Sequence, residues 1–237
     1  MQLCQVFDET EAYQLLGHRL SPAYSIEKLM WIRENEPDIF EKTYKMLQVK
    51  DYIIYRMTGE FVTDYSDASG TNALDLENLK WSEEILAAAG IDMDKLPRIH
   101  ASTDIIGNLN PDAAKEMGLT TATMVVCGGG DGPCSALGAG CIKNDEMFLT
   151  FGTSAWIGGT TEKKFLDDDK IFFCFAHVIQ KAKEEGINSW DLMNAMAEKS
   201  PAGAKGLLFL PYLAGERAPR WNPDASGSVV GIHMYHQ

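Results

Sequence analysis

Two short stretches carry residue types that could do chemistry together. Gly128-Gly129-Gly130-Asp131 follows the apolar run Met124 to Cys127, and Phe151-Gly152-Thr153-Ser154 follows the apolar run Met147 to Thr150. Three successive glycines let a chain turn tightly with no β-carbon in the way, which presents Asp131 at the tip. A carboxylate held there can accept a proton from a reacting hydroxyl. A glycine followed by two hydroxyl residues offers backbone N–H and side-chain O–H donors in a compact turn, which suits a phosphate. An acid on one turn and a phosphate cradle on the next amount to a phosphoryl-transfer site. Plainer roles fit the same residues: Asp is a preferred helix N-cap, and Gly-Thr-Ser is a common turn. Residue types alone leave both readings open.

The elements around these turns must place them. Met124 to Cys127 reads as a buried strand, and Pro133 with the small-residue run Cys134 to Gly140 reads as a closely packed helix with Asp131 at or beside its N-cap. The second turn sits between two apolar runs, giving strand, turn, strand. Upstream the pattern is mostly helical. Glu9 to Leu16 is closed by Gly17; a helix capped by Ser25 runs to Pro37; Asp38 to Met46 and Lys50 to Met57 follow. Trp81 to Ala89 is capped by Ser82 and stopped by Gly90, and Pro111 to Met117 is stopped by Gly118. Asp64 to Asp75 is polar and small, with Ser66 or Asp67 placed to cap; it either lines a pocket or is a capped connection. Downstream, Asp167, Asp168 and Asp169 read as a solvated turn and not a metal site, because consecutive residues do not share a face. Ile171 to Ile179 reads as an apolar strand containing His177. Asn188 to Lys199 reads as a helix, Gly206 to Leu213 and Ser228 to Ile232 as strands, with a loop through Gly215-Glu216-Arg217 between them.

Composition sets the outer bounds. A chain of 237 residues, 45% hydrophobic and 23% charged, is long enough for one large or two small folded domains. Mean hydropathy is −0.17, and no apolar run approaches the roughly 20 residues of a membrane span. The first residues lack the basic start and apolar core of a signal peptide, so the expected location is the cytoplasm. A net charge of −13 opposes binding to nucleic acid or to an anionic membrane surface. Five cysteines, with no CxxC pair, read as buried thiols and give neither a zinc site nor a disulfide framework.

Five segments, in order, resemble the FGGY family of carbohydrate kinases, and most closely its xylulokinase-like members. They are KLMWIRENEPDIF, KDYIIYRMTGEFVTDYSDASGTNALDL, VVCGGGDGPCSALGAG, LTFGTSAWIGG and GLLFLPYLAGERAPRWNPDASGSVVGI. The resemblance implies an α/β protein of the actin-like ATPase (ribonuclease H-like) fold, a sugar kinase of two domains around a cleft. It implies ATP and Mg²⁺ as cofactors and transfer of a phosphoryl group to the hydroxyl of a sugar, with a pentulose such as D-xylulose as the expected acceptor. On the family pattern Asp131 matches the catalytic base and contacts the substrate together with Gly132, while Gly152, Thr153 and Ser154 match a phosphate-binding turn. No protein ligand to the metal is implied. The partners are then the sugar and ATP, with neither nucleic acid nor membrane, and a homodimer is compatible with the family.

The departures are informative. Many xylulokinases have Asn after the base aspartate, where this chain has Gly132. The family's N-terminal Asp-x-Gly-Thr phosphate turn, the histidine-bearing sugar segment and the glycine-rich adenine-binding half have no counterpart here, and residues are expected to be missing between Ile179 and Gln180. The sequence is therefore expected to be the middle of a kinase, inactive by itself, with residues 1–123 the mostly helical remainder of the N-terminal domain and 124–237 the truncated start of the C-terminal domain. Two rival readings stand beside this one: a non-catalytic sugar-sensing or scaffold member of the same fold, and an acyl-phosphate-forming kinase of the same superfold. The second would lack the WIREN and GER-type segments.

Overall fold

The computed structural model describes residues 3–151, 155–178, 208–210 and 228–230. Two compact units emerge. One comprises Met1–Pro133 with Lys164–Glu185, the other Cys134–Lys163 with Gly186–Gln237.

The first unit is built from short helices whose ends are set by local chemistry. Helix α1 spans Leu3–Val6 and α2 Glu9–Leu16. Asp8 caps α2 by accepting from the N–H groups of Thr10 and Glu11, and Gly17 closes it in the left-handed conformation at φ 81°. Helix α3, Ser25–Asn35, begins one residue earlier in its cap than expected: Tyr24 is the N-cap and Ser25 instead meets the Gln48 side chain. The next helix, α4, covers only Pro37–Lys42, with Pro37 at its first turn and not at the end of α3. Helix α5, Val49–Thr58, ends at Gly59. After β1, Val62–Asp64, comes α6, Tyr65–Ser69, which Asp64 caps in place of Ser66 or Asp67.

Strands β2, Leu74–Asp75, and β3, Lys80–Trp81, form a small antiparallel pair. Trp81 thus lies in a strand ahead of α7, Glu83–Ala89, which Ser82 caps. Strand β4, Arg98–His100, runs parallel to β1 with Asp64 opposite His100. Strands β5, Ile105–Asn108, and β6, Met124–Val126, are antiparallel around α8, Pro111–Met117. Two apolar clusters hold this unit. One gathers Leu16, Ile26, Leu74, Ile85, Leu86 and neighbours from α2, α3, β2 and α7; the other gathers Ile54, Val62, Leu109, Ala114, Val125 and Cys127 beneath β6. The expected burial of Met124 to Cys127 is only half realised. Val125 and Cys127 are buried while Met124 and Val126 are exposed, because β6 ends a two-stranded sheet with one covered face.

In the segment 164–178 one expectation is corrected and another refined. Ile171 to Val178 forms no strand. Its backbone is tied down by side chains instead: both Asp167 oxygens accept from Ile171 N–H, Asp167 Oδ1 also accepts from Phe172 N–H, and the Cys174 N–H donates to Gly17 O. The expected solvated turn is present, with Asp168 and Asp169 exposed in it, while Asp167 also accepts a 2.9 Å bond from the Tyr13 hydroxyl and acts as a structural clasp. Burial, the largest influence, pushes the Tyr13 phenol up to about 12. The cysteines are not uniformly buried either: Cys127 and Cys141 are, but Cys4 and Cys134 are exposed.

Helix α9, Asp131–Gly138, leads into the second unit. There β7, Met147–Phe151, and β8, Ala155–Gly159, form an antiparallel hairpin with Phe151 opposite Ala155. Short strands β9, Leu208–Leu210, and β10, Ser228–Val230, pair antiparallel. The expected helix Asn188 to Lys199 and the Gly215-Glu216-Arg217 loop lie outside the described residues. No helix among the described residues is long and apolar enough to cross a membrane.

Candidate active site

Asp131 is exposed and is the first residue of α9. Its Oδ1 accepts a 2.7 Å bond from the N–H of half-buried Gly132, so the two residues expected at the substrate are joined directly. The carboxylate sits at the end of a helix where backbone N–H groups point outward, a setting favourable to negative charge. Gly152, Thr153 and Ser154 lie outside the described residues; the strands on either side of them are in register.

The three-glycine turn ahead of Asp131 is anchored at several points. Cys127 N–H donates to Asp104 O and Gly128 N–H to Ser102 O, both at 2.9 Å. Gly128 has φ +68°, a conformation that L side chains rarely adopt. The N–H of Gly130 donates to Ser66 Oγ at 2.8 Å. A β-carbon on Gly130 would lie 3.0 Å from Asp67 Oδ1, so glycine there reflects close approach as well as turning.

Ser66 belongs to a buried polar network that residue spacing did not reveal. Asp64, fully buried, uses Oδ2 to accept from Ser66 N–H at 2.9 Å, Ser66 O–H at 2.5 Å and Ser102 O–H at 2.7 Å. Lys50 Nζ lies 2.8 Å from Asp51, 3.3 Å from Asp64 and 3.4 Å from Asp67, and it also reaches the Cys127 carbonyl at 3.4 Å. Burial by itself would lower the Lys50 ammonium, but the carboxylates of Asp51, Asp64 and Asp67 outweigh it and hold it above the usual lysine range. Burial first, then the like charges of Asp51 and Asp64, push Asp67 up to about 6 against the opposing pull of Lys50. The parallel pairing of β1 with β4 brings this about, setting Asp64 at the end of β1 and Ser102 just past the same end of β4. The signal in the sequence was present but ambiguous. Asp64 to Asp75 was legible as capping chemistry, and part of it does cap α6; its reach to residue 130 was not.

Among the described residues no group of three His, Cys, Asp or Glu could hold a metal ion. The three carboxylates around Lys50 are ion-paired with its ammonium, and Mg²⁺ in phosphoryl transfer is held largely by phosphate oxygens with few protein ligands.

The chain belongs to the FGGY family of carbohydrate kinases. Residues 2–138 match the family's N-terminal domain and residues 170–237 its C-terminal domain. The fold is accordingly of the actin-like ATPase type. Among curated relatives it is 36% identical to the gluconokinase of Bacillus licheniformis, over 95% of this chain and 49% of that protein. It is 33% identical to the xylulose kinase of Escherichia coli K12, over 94% of this chain and 49% of that protein. The crystal structure of a ligand-bound xylulose kinase from Lactobacillus acidophilus superimposes with a TM-score of 0.73 at 31% identity, covering 97% of this chain and 50% of that one. The chain thus spans about half the length of the relatives it matches.

Proposed function

We propose that the complete protein transfers the γ-phosphoryl group of ATP, as its Mg²⁺ complex, to a hydroxyl of a sugar. Asp131 accepts the hydroxyl proton on its carboxylate as the sugar oxygen bonds to phosphorus and the bond to the leaving ADP oxygen breaks. The observation that carries this reading is the exposed carboxylate of Asp131 at the start of α9, presented by a turn anchored at Gly128 and Gly130. Gly132 leaves room beside the carboxylate for the acceptor. Gly152, Thr153 and Ser154 are assigned to the phosphates, where backbone N–H and hydroxyl donors would supply positioning and charge stabilisation.

The acceptor proposed is a pentulose such as D-xylulose. Relatives named for gluconate match as well as those named for xylulose, which makes D-gluconate the competing acceptor. Gluconate is an anion and calls for an unmatched cation. Lys50, the ammonium that reaches the carbonyl at the base of the glycine turn, is already surrounded by three carboxylates, which supports a neutral acceptor. A cytoplasmic address and a homodimer remain part of the proposal.

The test is a coupled ADP-release assay on the complete protein with D-xylulose, D-gluconate and a panel of other sugars. Faster turnover with D-xylulose supports the pentulose reading, and preference for D-gluconate overturns it. Asp131→Asn should lower kcat by about 10² to 10⁴ through loss of the proton acceptor; wild-type rates would remove Asp131 from the role. A sensor or scaffold would instead bind sugar in calorimetry with no turnover.

A further inference from the structure

Resting on the kinase reading for Asp131, we infer that Ser66, held by Asp64, is a positioning residue that sets the glycine turn and hence the aim of the Asp131 carboxylate.

The hydrogen-bond directions allow one arrangement. Ser66 has a single hydroxyl proton. Asp64, 2.5 Å away and already accepting from Ser66 N–H and Ser102 O–H, takes that proton as an acceptor-only carboxylate. The Ser66 oxygen is then left with lone pairs directed elsewhere, and one of them receives the Gly130 N–H at 2.8 Å. A hydroxyl oriented in this way cannot rotate to offer its proton to the turn, so the Gly130 amide has a fixed acceptor one residue before Asp131. The other end of the turn is held by the same network. Lys50 reaches Cys127 O, and Ser102, which donates its hydroxyl to Asp64, receives Gly128 N–H on its backbone carbonyl.

Both ends of the turn are therefore referred to one buried carboxylate, Asp64, on the end of β1. Ser66 is 3% exposed and Asp64 fully buried, so solvent does not compete for these bonds. Asp67 fills the space that a Gly130 side chain would need. The bonds of this arrangement run to the backbone of the turn, at Gly130 N–H, Gly128 N–H and Cys127 O. Its effect on catalysis passes through the position of Asp131, where an error of about 1 Å can cost on the order of 10² in rate.

The test uses Ser66→Ala, which removes the acceptor, Ser66→Thr, which keeps a hydroxyl, and Ile85→Val as a control in the distant core. Ser66→Ala should raise deuterium uptake at peptides covering residues 124–133, and Ser66→Thr should restore protection toward the wild-type level. In the complete kinase Ser66→Ala should lower kcat about 10- to 100-fold with the sugar KM changed less than about 3-fold. Ile85→Val, even where it lowers the melting temperature as much, should leave kcat unchanged. The proposal is overturned if Ser66→Ala leaves exchange at 124–133 as in the wild type. It is equally overturned if exchange rises but kcat falls no further than in an equally destabilised Ile85→Val protein. Exchange is read without turnover, so a protein that phosphorylates no sugar would count against the kinase reading while this arm still reports on the turn.

Discussion

At the scale of single residues, the buried charges of the first unit make the clearest demands. Glu27, on the buried face of α3, accepts a 2.6 Å bond from Asn72, yet its second oxygen and the Asn72 carbonyl oxygen have no partner. Burial is the largest influence on its carboxyl and pushes it up to about 7. A carboxyl whose folded value lies above its unfolded one favours the folded state at low pH, and that contribution is lost as pH rises from about 4.5 through about 7. Asp67, pushed up to about 6 by burial, acts in the same direction. Glu27→Gln keeps the acceptor for Asn72 and removes the titration. Its stability should be close to wild type at pH 5 and greater by on the order of 2 kcal/mol at pH 8, measured as thermal melts at the two pH values. An equal shift at both would refute the assignment. Lys50→Met would leave Asp51, Asp64 and Asp67 without their cation. A loss of about 3–5 kcal/mol is expected in denaturant titration, and a loss below about 1 kcal/mol would mean that the carboxylates are solvated.

At the scale of elements, helix ends follow local rules, and the cost of breaking those rules depends on what lies beside them. Gly17 and Gly118 both close helices in the left-handed conformation, at φ +81° and +67°. An alanine at either position carries the backbone penalty of about 1 kcal/mol. Only at Gly17 would the new β-carbon also collide, lying 2.5 Å from Leu76 Cδ2 and 2.9 Å from the Cys174 carbonyl, whereas nothing lies within 4 Å at Gly118. Gly17→Ala should therefore destabilise by at least about 1 kcal/mol more than Gly118→Ala, a difference that paired urea titrations would resolve. Ser82, which accepts from Ile85 N–H at the start of α7, should cost about 1 kcal/mol as alanine and be largely restored as aspartate. The strand expected at Ile171 to Ile179 fails for a related reason. Apolar content suggested β structure, but Asp167 and Gly17 claim the backbone donors that a neighbouring strand would need.

At the scale of the whole molecule, the chain weaves between its two units, entering the second after Pro133 and returning at Lys164. The thiols report on burial within each unit. Cys4 is exposed, Cys127 and Cys141 are buried, and burial pushes the Cys127 thiol up to about 12. In native protein a thiol reagent should modify Cys4 rapidly and Cys127 and Cys141 only after denaturation. Prompt labelling of Cys127 would show that the floor of the glycine turn opens in solution. The helix limits at Glu9, Leu16, Pro111 and Met117 were legible because caps and glycine stops act within four residues. The family, too, was legible, since its segments keep their order and their turn residues, and Asp131 was legible as a helix-leading acid. This local grammar, and the kinship it spells out, are written in the order of the residues. The anchoring of the glycine turn was decided only in three dimensions, because its bonds join Lys50 to Cys127 across 77 positions and Ser66 to Gly130 across 64. Such partners are selected by the pairing of β1 with β4 and by the burial that excludes water, neither of which leaves a periodic trace along the chain.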